Sequence, residues 1–164
     1  MPTIVAIDPG VSPTICVLID DRGKNLAADF YEADDTSFVV PINGKNRRRP
    51  SAPLLANILR DSMAELVVME DVHAQPGEGA AGAYAFGFAT GVAEGVAVAL
   101  GKRVVRVTPQ VWKKAVGIPP KSAKNMSRHV ASSVAPNLAK YFERVLDHNR
   151  ADAFLMAWWA RGKL

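Results

Sequence analysis

Short runs of apolar, β-branched residues mark the first part of this chain. Residues 3–8 and 14–20 are apolar, β-branched runs separated by a Pro-Gly pair, which predicts a β-hairpin. Residues 21–24 supply the next turn, and a weaker third strand is expected over residues 25–31. The pattern therefore predicts an antiparallel meander at the start of the fold.

A helical repeat of apolar residues dominates the rest of the chain. Five helices are predicted, over residues 51–63, 80–100, 109–116, 122–134 and 148–161. Two short apolar runs, 66–69 and 103–107, predict further strands. Residues 34–50 are polar, include three consecutive arginines, and are expected to form an exposed loop that could touch a polyanion. The order of elements predicts an α/β fold in which helices cover a mixed sheet.

Length and composition are those of a soluble globular chain. The 164 residues fit one compact domain, with 49% hydrophobic and 22% charged residues. We expect no membrane span, because Gly, Lys or His interrupts the apolar stretches before about 20 residues. The start of the chain lacks a basic-then-apolar signal pattern, so a cytoplasmic location is expected, either nucleoid-associated or in a phage-infected bacterium. Cys16 is the single cysteine and is expected to be a buried thiol.

Charge is segregated along the chain. The net charge is +4; the first 35 residues carry seven acidic groups, whereas residues 102–128 carry eight basic groups and no acid. A solubilising surface would explain a basic total, but segregation favours a phosphate-binding segment.

Three glycines fall four residues apart in the predicted helix over 80–100. Gly87, Gly91 and Gly95 therefore share one helix face and permit close approach of another backbone. Packing on the sheet of the same chain is the favoured interpretation, and pairing with a second copy across a two-fold axis is the alternative.

Three acidic residues lie where an apolar element meets a loop or begins a helix. Asp8 ends the first strand, Glu70 ends a later strand, and Asp152 lies one turn into the last helix. Taken singly, Asp8 could be a turn residue and Glu70 a solvated strand end. Asp152 lies among apolar residues and needs a partner, either Arg150 or a metal ion. Together the three carboxylates could form an oxygen-rich site for Mg²⁺ or Mn²⁺, with two ions at each site.

Four short motifs carry a resemblance to a known family. They are AIDPG at 6–10, VVMEDV at 67–72, VTPQVWKK at 107–114 and DHNRADAFLMAWWA at 147–160. In order and spacing the set resembles RuvC-type Holliday junction resolvases, including phage and related bacterial members. The resemblance implies an RNase H-like fold with a five-stranded sheet, a homodimer, a divalent-metal site, and paired incisions across a four-way DNA junction that leave 5′ phosphates.

The resemblance assigns the family's acidic positions to Asp8, Glu70 and Asp152. Family members carry a fourth ligand, an acid or sometimes His, three or four residues before the last acid, where this chain has Asn149 and His148. His148 lies one helical turn before Asp152 and is favoured as a catalytic metal ligand, with Asp147 as the alternative. A His ligand would suit Mn²⁺ better than Mg²⁺.

The basic segment is expected to contact DNA phosphates near the metal site. Its candidate residues are Lys113, Lys114, Lys121, Lys124 and Arg128. Tyr84, Phe86 and Phe88 follow a Gly-rich stretch, and one of them could stack on an unpaired base, although helix packing explains them equally well. Trp112, Trp158 and Trp159 are expected in the core or between helices.

Three functions compete for this sequence. The first is a junction resolvase, the second a related nuclease that acts on other branched or flap DNA, and the third a junction-binding module without catalysis. Only the replacement of an expected acid by His148 and Asn149 supports the third. Actin-like kinases also begin with a strand and Asp-x-Gly, but their duplicated domain exceeds this length.

Overall fold

The computed structural model describes residues 2–10, 13–21, 26–32, 49–73, 77 and 79–164. The strands are β1 (Thr3–Asp8), β2 (Thr14–Asp20), β3 (Leu26–Tyr31), β4 (Leu66–Glu70) and β5 (Arg103–Val107). The α-helices are α1 (Ala52–Asp61), α2 (Ala80–Ala99), α3 (Pro109–Ala115), α4 (Met126–Val134) and α5 (His148–Ala160). Short 3₁₀ helices cover Pro136–Phe142, Val145–Asp147 and Arg161–Lys163.

The five strands form one mixed sheet in the order β3-β2-β1-β4-β5. β1, β2 and β3 pair antiparallel, as the predicted meander requires, and β4 and β5 continue the sheet parallel to β1. The parallel register pairs Ile7 with Met69. Asp8 and Glu70 therefore lie at the carboxyl-terminal ends of two neighbouring parallel strands.

Alternate residues of each strand face two separate cores. Ile4, Ala6, Leu66 and Val68 belong to the core beneath α5, whereas their strand neighbours pack beneath α1 and α2. Both faces are covered, which explains why β1 and β4 are almost continuously buried. The two-residue period also places the side chains of Asp8 and Glu70 on the α5 side of the sheet.

Most predicted elements are confirmed, with shifts at their ends. Ser51 caps α1, its Oγ accepting a hydrogen bond from the Leu54 N–H at 3.4 Å. The helix predicted from Ser122 instead begins at Met126, because residues 121–125 form turns in which Lys121 has a positive φ of 59°. The 3₁₀ helices were not predicted. Most of the turn at 21–24 and the polar loop up to Arg48 lie outside the described residues.

Helix α2 exposes its glycines instead of burying them. Its buried face carries Ala89, Thr90, Ala93 and Ala97 and packs against α1 and β5. The favoured prediction that the glycine stripe packs on its own sheet is therefore wrong: a methyl group added at Gly87, Gly91 or Gly95 would meet no atom of the described residues within 4 Å.

The length and composition of α2 bear on the expectation that no stretch spans a membrane. By length and composition alone, the 20-residue α2 could cross a bilayer, so the statement that no apolar stretch is long enough is wrong. A single such helix is weak evidence for a span, because core helices have the same composition.

Candidate active site: an acidic cluster beside a basic groove

Three carboxylates from distant parts of the chain converge on one side of the sheet. Asp8 and Glu70 extend from the ends of β1 and β4, and Asp152 lies in the second turn of α5, which packs across β1 and β2. α5 crosses the sheet here because nearly every side chain from Ala151 to Ala157 is buried in the core beneath it. The predicted candidate acids are thus close enough to affect one another electrostatically.

Burial and mutual repulsion perturb the two strand carboxyls. Burial, followed by the charges of Glu70 and Asp152, raises the pKa of Asp8 from 3.8 to about 7. Burial also raises the pKa of Glu70, with a smaller contribution from Asp152. The Lys113 ammonium acts in the opposite direction on both pKa values. A bound cation stabilises carboxylates that repel one another in this way.

Lys113 of α3 provides the charge partner of Asp152. Its Nζ lies 3.6 Å from Asp152 Oδ2, whereas the buried Oδ1 has no hydrogen-bond partner within the part of the chain that the structure describes. A buried oxygen without a partner is costly, and a ligand that reaches it would remove the cost. The suggestion that Arg150 pairs with Asp152 is wrong, because Arg150 binds Glu32 and the Tyr141 carbonyl and lies 3.7 Å from Asp147.

Trp112 also contacts this site, which the sequence did not reveal. Its indole Nε1–H donates a hydrogen bond of 2.9 Å to Glu70 Oε1, and its ring is fully buried. Sequence reasoning assigned the ring to the core, and that is correct. The missed signal is that a buried indole N–H requires an acceptor, and Glu70 ends a strand whose neighbour β5 leads directly into α3.

The two candidates for the fourth ligand, His148 and Asp147, lie in different surroundings. His148 lines the same groove as Asp152, and its Nδ1 lies 3.1 Å from the Val145 carbonyl oxygen. A proton on Nδ1 would make this a hydrogen bond and leave Nε2 as the ligand atom, which is the usual arrangement of metal-binding histidines.

Asp147 is instead enclosed by arginines. It is 1% exposed and accepts hydrogen bonds from the Arg144 N–H and guanidinium. Although burial alone would raise the pKa of Asp147, the Arg144 hydrogen bonds and the charges of Arg144 and Arg150 hold it below its ordinary value. The Arg144 bonds close the Val145–Asp147 turn, and Arg150 links Asp147 to α5, so Asp147 has a structural role that accounts for its charge.

A groove of about 740 Å³ opens beside Asp152 and His148. Its lining includes the predicted DNA-contacting residues Lys113, Lys114, Lys121 and Lys124. Arg128 is not brought to this groove: its guanidinium donates to the Glu143 carbonyl at 2.8 Å and to the Phe142 carbonyl at 3.4 Å. Arg128 therefore stabilises the backbone that precedes α5.

The predicted aromatic contacts lie at the start of α2. Tyr84 is 65% exposed and Phe86 is half-buried, and Phe88 lies beneath the Arg49 guanidinium, 4.5 Å from its ring centroid. The Tyr84 and Phe88 rings pack against each other with centroids 6.2 Å apart. Tyr84 therefore presents a ring to solvent, whereas Phe88 is already stacked.

The donor set suits a hard divalent cation, although the side chains as placed do not enclose one. Across the described ranges, no three His, Cys, Asp or Glu side chains are grouped tightly enough to hold an ion. The Lys113 ammonium lies near Asp152 Oδ2 and leaves the buried Oδ1 unsatisfied among the described residues. Carboxylate oxygens and an imidazole would fit Mg²⁺ or Mn²⁺ once Lys113 moves aside.

The sheet order, the carboxylates at the ends of β1 and β4, and the acid-bearing α5 define the RuvC-type, RNase H-like fold. Neither a protein-family model nor a curated protein matches the sequence. The similarity of this chain to known proteins is therefore found by comparing structures.

Solved structures of resolvases superpose on nearly the whole chain. Thermus thermophilus RuvC has a TM-score of 0.67 at 20% identity, covering 98% of this chain and 96% of that one. T. thermophilus RuvC in complex with a Holliday junction substrate has a TM-score of 0.72 at 18% identity, with coverages of 98% and 93%. The yeast mitochondrial Holliday junction resolvase Ydc2 has a TM-score of 0.63 at 11% identity, with coverages of 99% and 80%.

Proposed function

We propose that this protein is a divalent-metal-dependent endonuclease that resolves four-way DNA junctions by paired incisions. The observation that carries the proposal is the convergence of Asp8, Glu70 and Asp152 beside a lysine-lined groove. The similarity to resolvase structures supports the four-way junction as substrate.

Asp8, Glu70 and Asp152, together with His148 Nε2, would hold Mg²⁺ or Mn²⁺ as a pair of ions in one site. The chemistry that two such ions supply is activation of a water nucleophile and stabilisation of the leaving oxygen of a phosphodiester. The raised pKa of Asp8 means that ionising this carboxyl near neutral pH is assisted by a bound cation. Lys113, displaced from Asp152, would then pair with a DNA phosphate.

The groove supplies the binding surface for the DNA backbone. Lys114, Lys121 and Lys124 are exposed on its walls, so their ammonium groups can reach phosphates without losing an internal partner. Such contacts orient the strand at the carboxylates and carry little sequence information. Selection of a branched substrate would then depend on the arrangement of two sites.

A homodimer through α2 would present two sites to one junction. Tyr84, the three glycines and Val98 form a continuous exposed stripe along this helix, and the glycines leave room for a second backbone. Gly91→Leu would block that approach, and light scattering should then report a monomer. Ser133→Leu, at an exposed position of α4, is the control and should remain a dimer. A wild-type monomer at micromolar concentration would refute this assembly.

Cleavage of synthetic DNA tests the proposed activity directly. The protein is incubated with a four-way junction, a flap and a matching linear duplex, each with Mg²⁺, Mn²⁺ or chelator. We expect symmetric nicks in the junction, dependent on metal and abolished by Asp8→Asn. Cutting of flaps in preference to junctions would indicate the related nuclease, and binding without cleavage would indicate a junction-binding module; either result contradicts the resolvase assignment.

A further inference from the structure

We propose that Trp112 is a positioning residue that orients the Glu70 carboxylate for binding a divalent cation. This inference rests on the proposed function, because it assumes that Glu70 is a metal ligand. It concerns an interaction between α3 and the end of β4, 42 positions apart in the chain.

The geometry of the hydrogen bond restricts how Glu70 can turn. The indole N–H has one direction, and the fully buried ring cannot reorient within its core of packed side chains. A bond of 2.9 Å to Oε1 therefore holds one carboxylate oxygen in place and directs the other away from the ring. An acid at a strand end would otherwise sample several rotamers.

The same bond prepares Glu70 to act as a ligand. An oriented carboxylate oxygen is the kind of group that a hard cation binds. Partners of this kind, one step removed from an ion, commonly set the orientation of its ligands.

Trp112 also lies beneath the lysine that pairs with Asp152. The Lys113 Nζ is 5.1 Å from the centroid of the Trp112 ring and 3.6 Å from Asp152 Oδ2. Consecutive residues of α3 thus contact two different carboxylates of the site. The short helix α3 therefore places one side chain against Glu70 and the next against Asp152.

The competing explanation is that Glu70 merely satisfies a buried indole. A Trp in the core needs an acceptor whatever the acceptor does, so loss of stability on substitution would not distinguish the two roles. The test must therefore remove the N–H while keeping the ring, and it must measure the cation rather than only the fold.

Benzothienylalanine at position 112 meets this requirement, because sulfur replaces the N–H and the ring size is preserved. Trp112→Phe is the second variant, and Trp159→Phe, at a ring that contacts Lys163, is the control. Mn²⁺ affinity is measured by calorimetry on the folded proteins. Loss of such a partner typically weakens metal binding or activity by about 10- to 100-fold, and we expect this for both variants and not for the control.

Junction cleavage across a metal titration separates positioning from general damage. The metal concentration for half-maximal rate should rise by a similar factor, whereas the rate at saturating metal should recover to within a few-fold of wild type. In ¹H–¹⁵N spectra, the indole peak lost in Trp112→Phe should shift when Mg²⁺ is added to wild type or when Glu70 is replaced by Gln.

The outcomes distinguish this inference from the proposed function. Wild-type affinity for Mn²⁺ in the benzothienylalanine protein, together with an indole peak that ignores Mg²⁺, would overturn the positioning role and leave the nuclease intact. A wild-type protein that neither binds Mn²⁺ nor cuts junctions would overturn both.

Discussion

Asp8→Asn should change how the stability of the metal-free protein depends on pH. Asp8 is half-buried at the end of β1 and has a pKa of about 7 in the fold, against an ordinary value of 3.8. The fold therefore favours the protonated carboxyl. The resulting stabilisation is complete below pH about 4 and is lost as the pH rises through about 7.

The magnitude follows from the size of the shift. At about 1.36 kcal/mol per pH unit, the full difference is worth ~4 kcal/mol, of which roughly 2.5 kcal/mol lies between pH 5 and pH 8. Asn keeps the size of the side chain and cannot ionise. The variant should therefore lose most of this dependence, with a smaller dependence of the same sign remaining from Glu70.

Urea unfolding in chelator at pH 5 and pH 8 measures the effect. Wild type should have a higher free energy of unfolding at pH 5, and the gap should shrink in Asp8→Asn. Asp61→Asn, at an exposed site on α1, controls for the general effect of removing an acid. An unchanged gap in Asp8→Asn would refute the raised pKa of Asp8, and with it the burial and the neighbouring carboxylates that cause it.

Three further substitutions test neighbouring parts of the site. Asp147→Asn should destabilise the fold by about 2 kcal/mol, because an amide oxygen accepts the hydrogen bonds of Arg144 less strongly than the buried carboxylate does. It should preserve Mn²⁺ affinity, and weakened Mn²⁺ binding in the folded variant would restore Asp147 as a ligand. Lys113 lowers the pKa of Asp8, so Lys113→Met should raise that pKa. Urea unfolding across pH should then show the Asp8-dependent loss of unfolding free energy continuing to a higher pH. Replacing Lys121 and Lys124 with Gln should reduce the slope of log binding constant against log salt by about 2 on duplex DNA arms, whereas Lys140→Gln should leave it unchanged.

The local pattern of apolar and polar residues was sufficient to predict most of the fold. The meander, β4, β5 and α5 were predicted almost to their ends, because short apolar runs and helical spacing are local properties of the chain. The same patterns indicated that Asp8 and Glu70 end strands and that Asp152 lies near the start of a helix. The turns around Lys121 and the 3₁₀ helices were missed because their conformations depend on contacts outside the segment.

The tertiary structure alone decided which side chains are partners. Asp147 and His148 are adjacent in the sequence, yet packing gives the first to arginines and the second to the groove. Trp112 meets Glu70 only because the parallel register of β4 and β5 brings α3 over the strand end. The sequence by itself determined which residues can do chemistry here; their pairing was settled by long-range packing, since contacts between distant segments depend on register and helix placement that no local pattern contains.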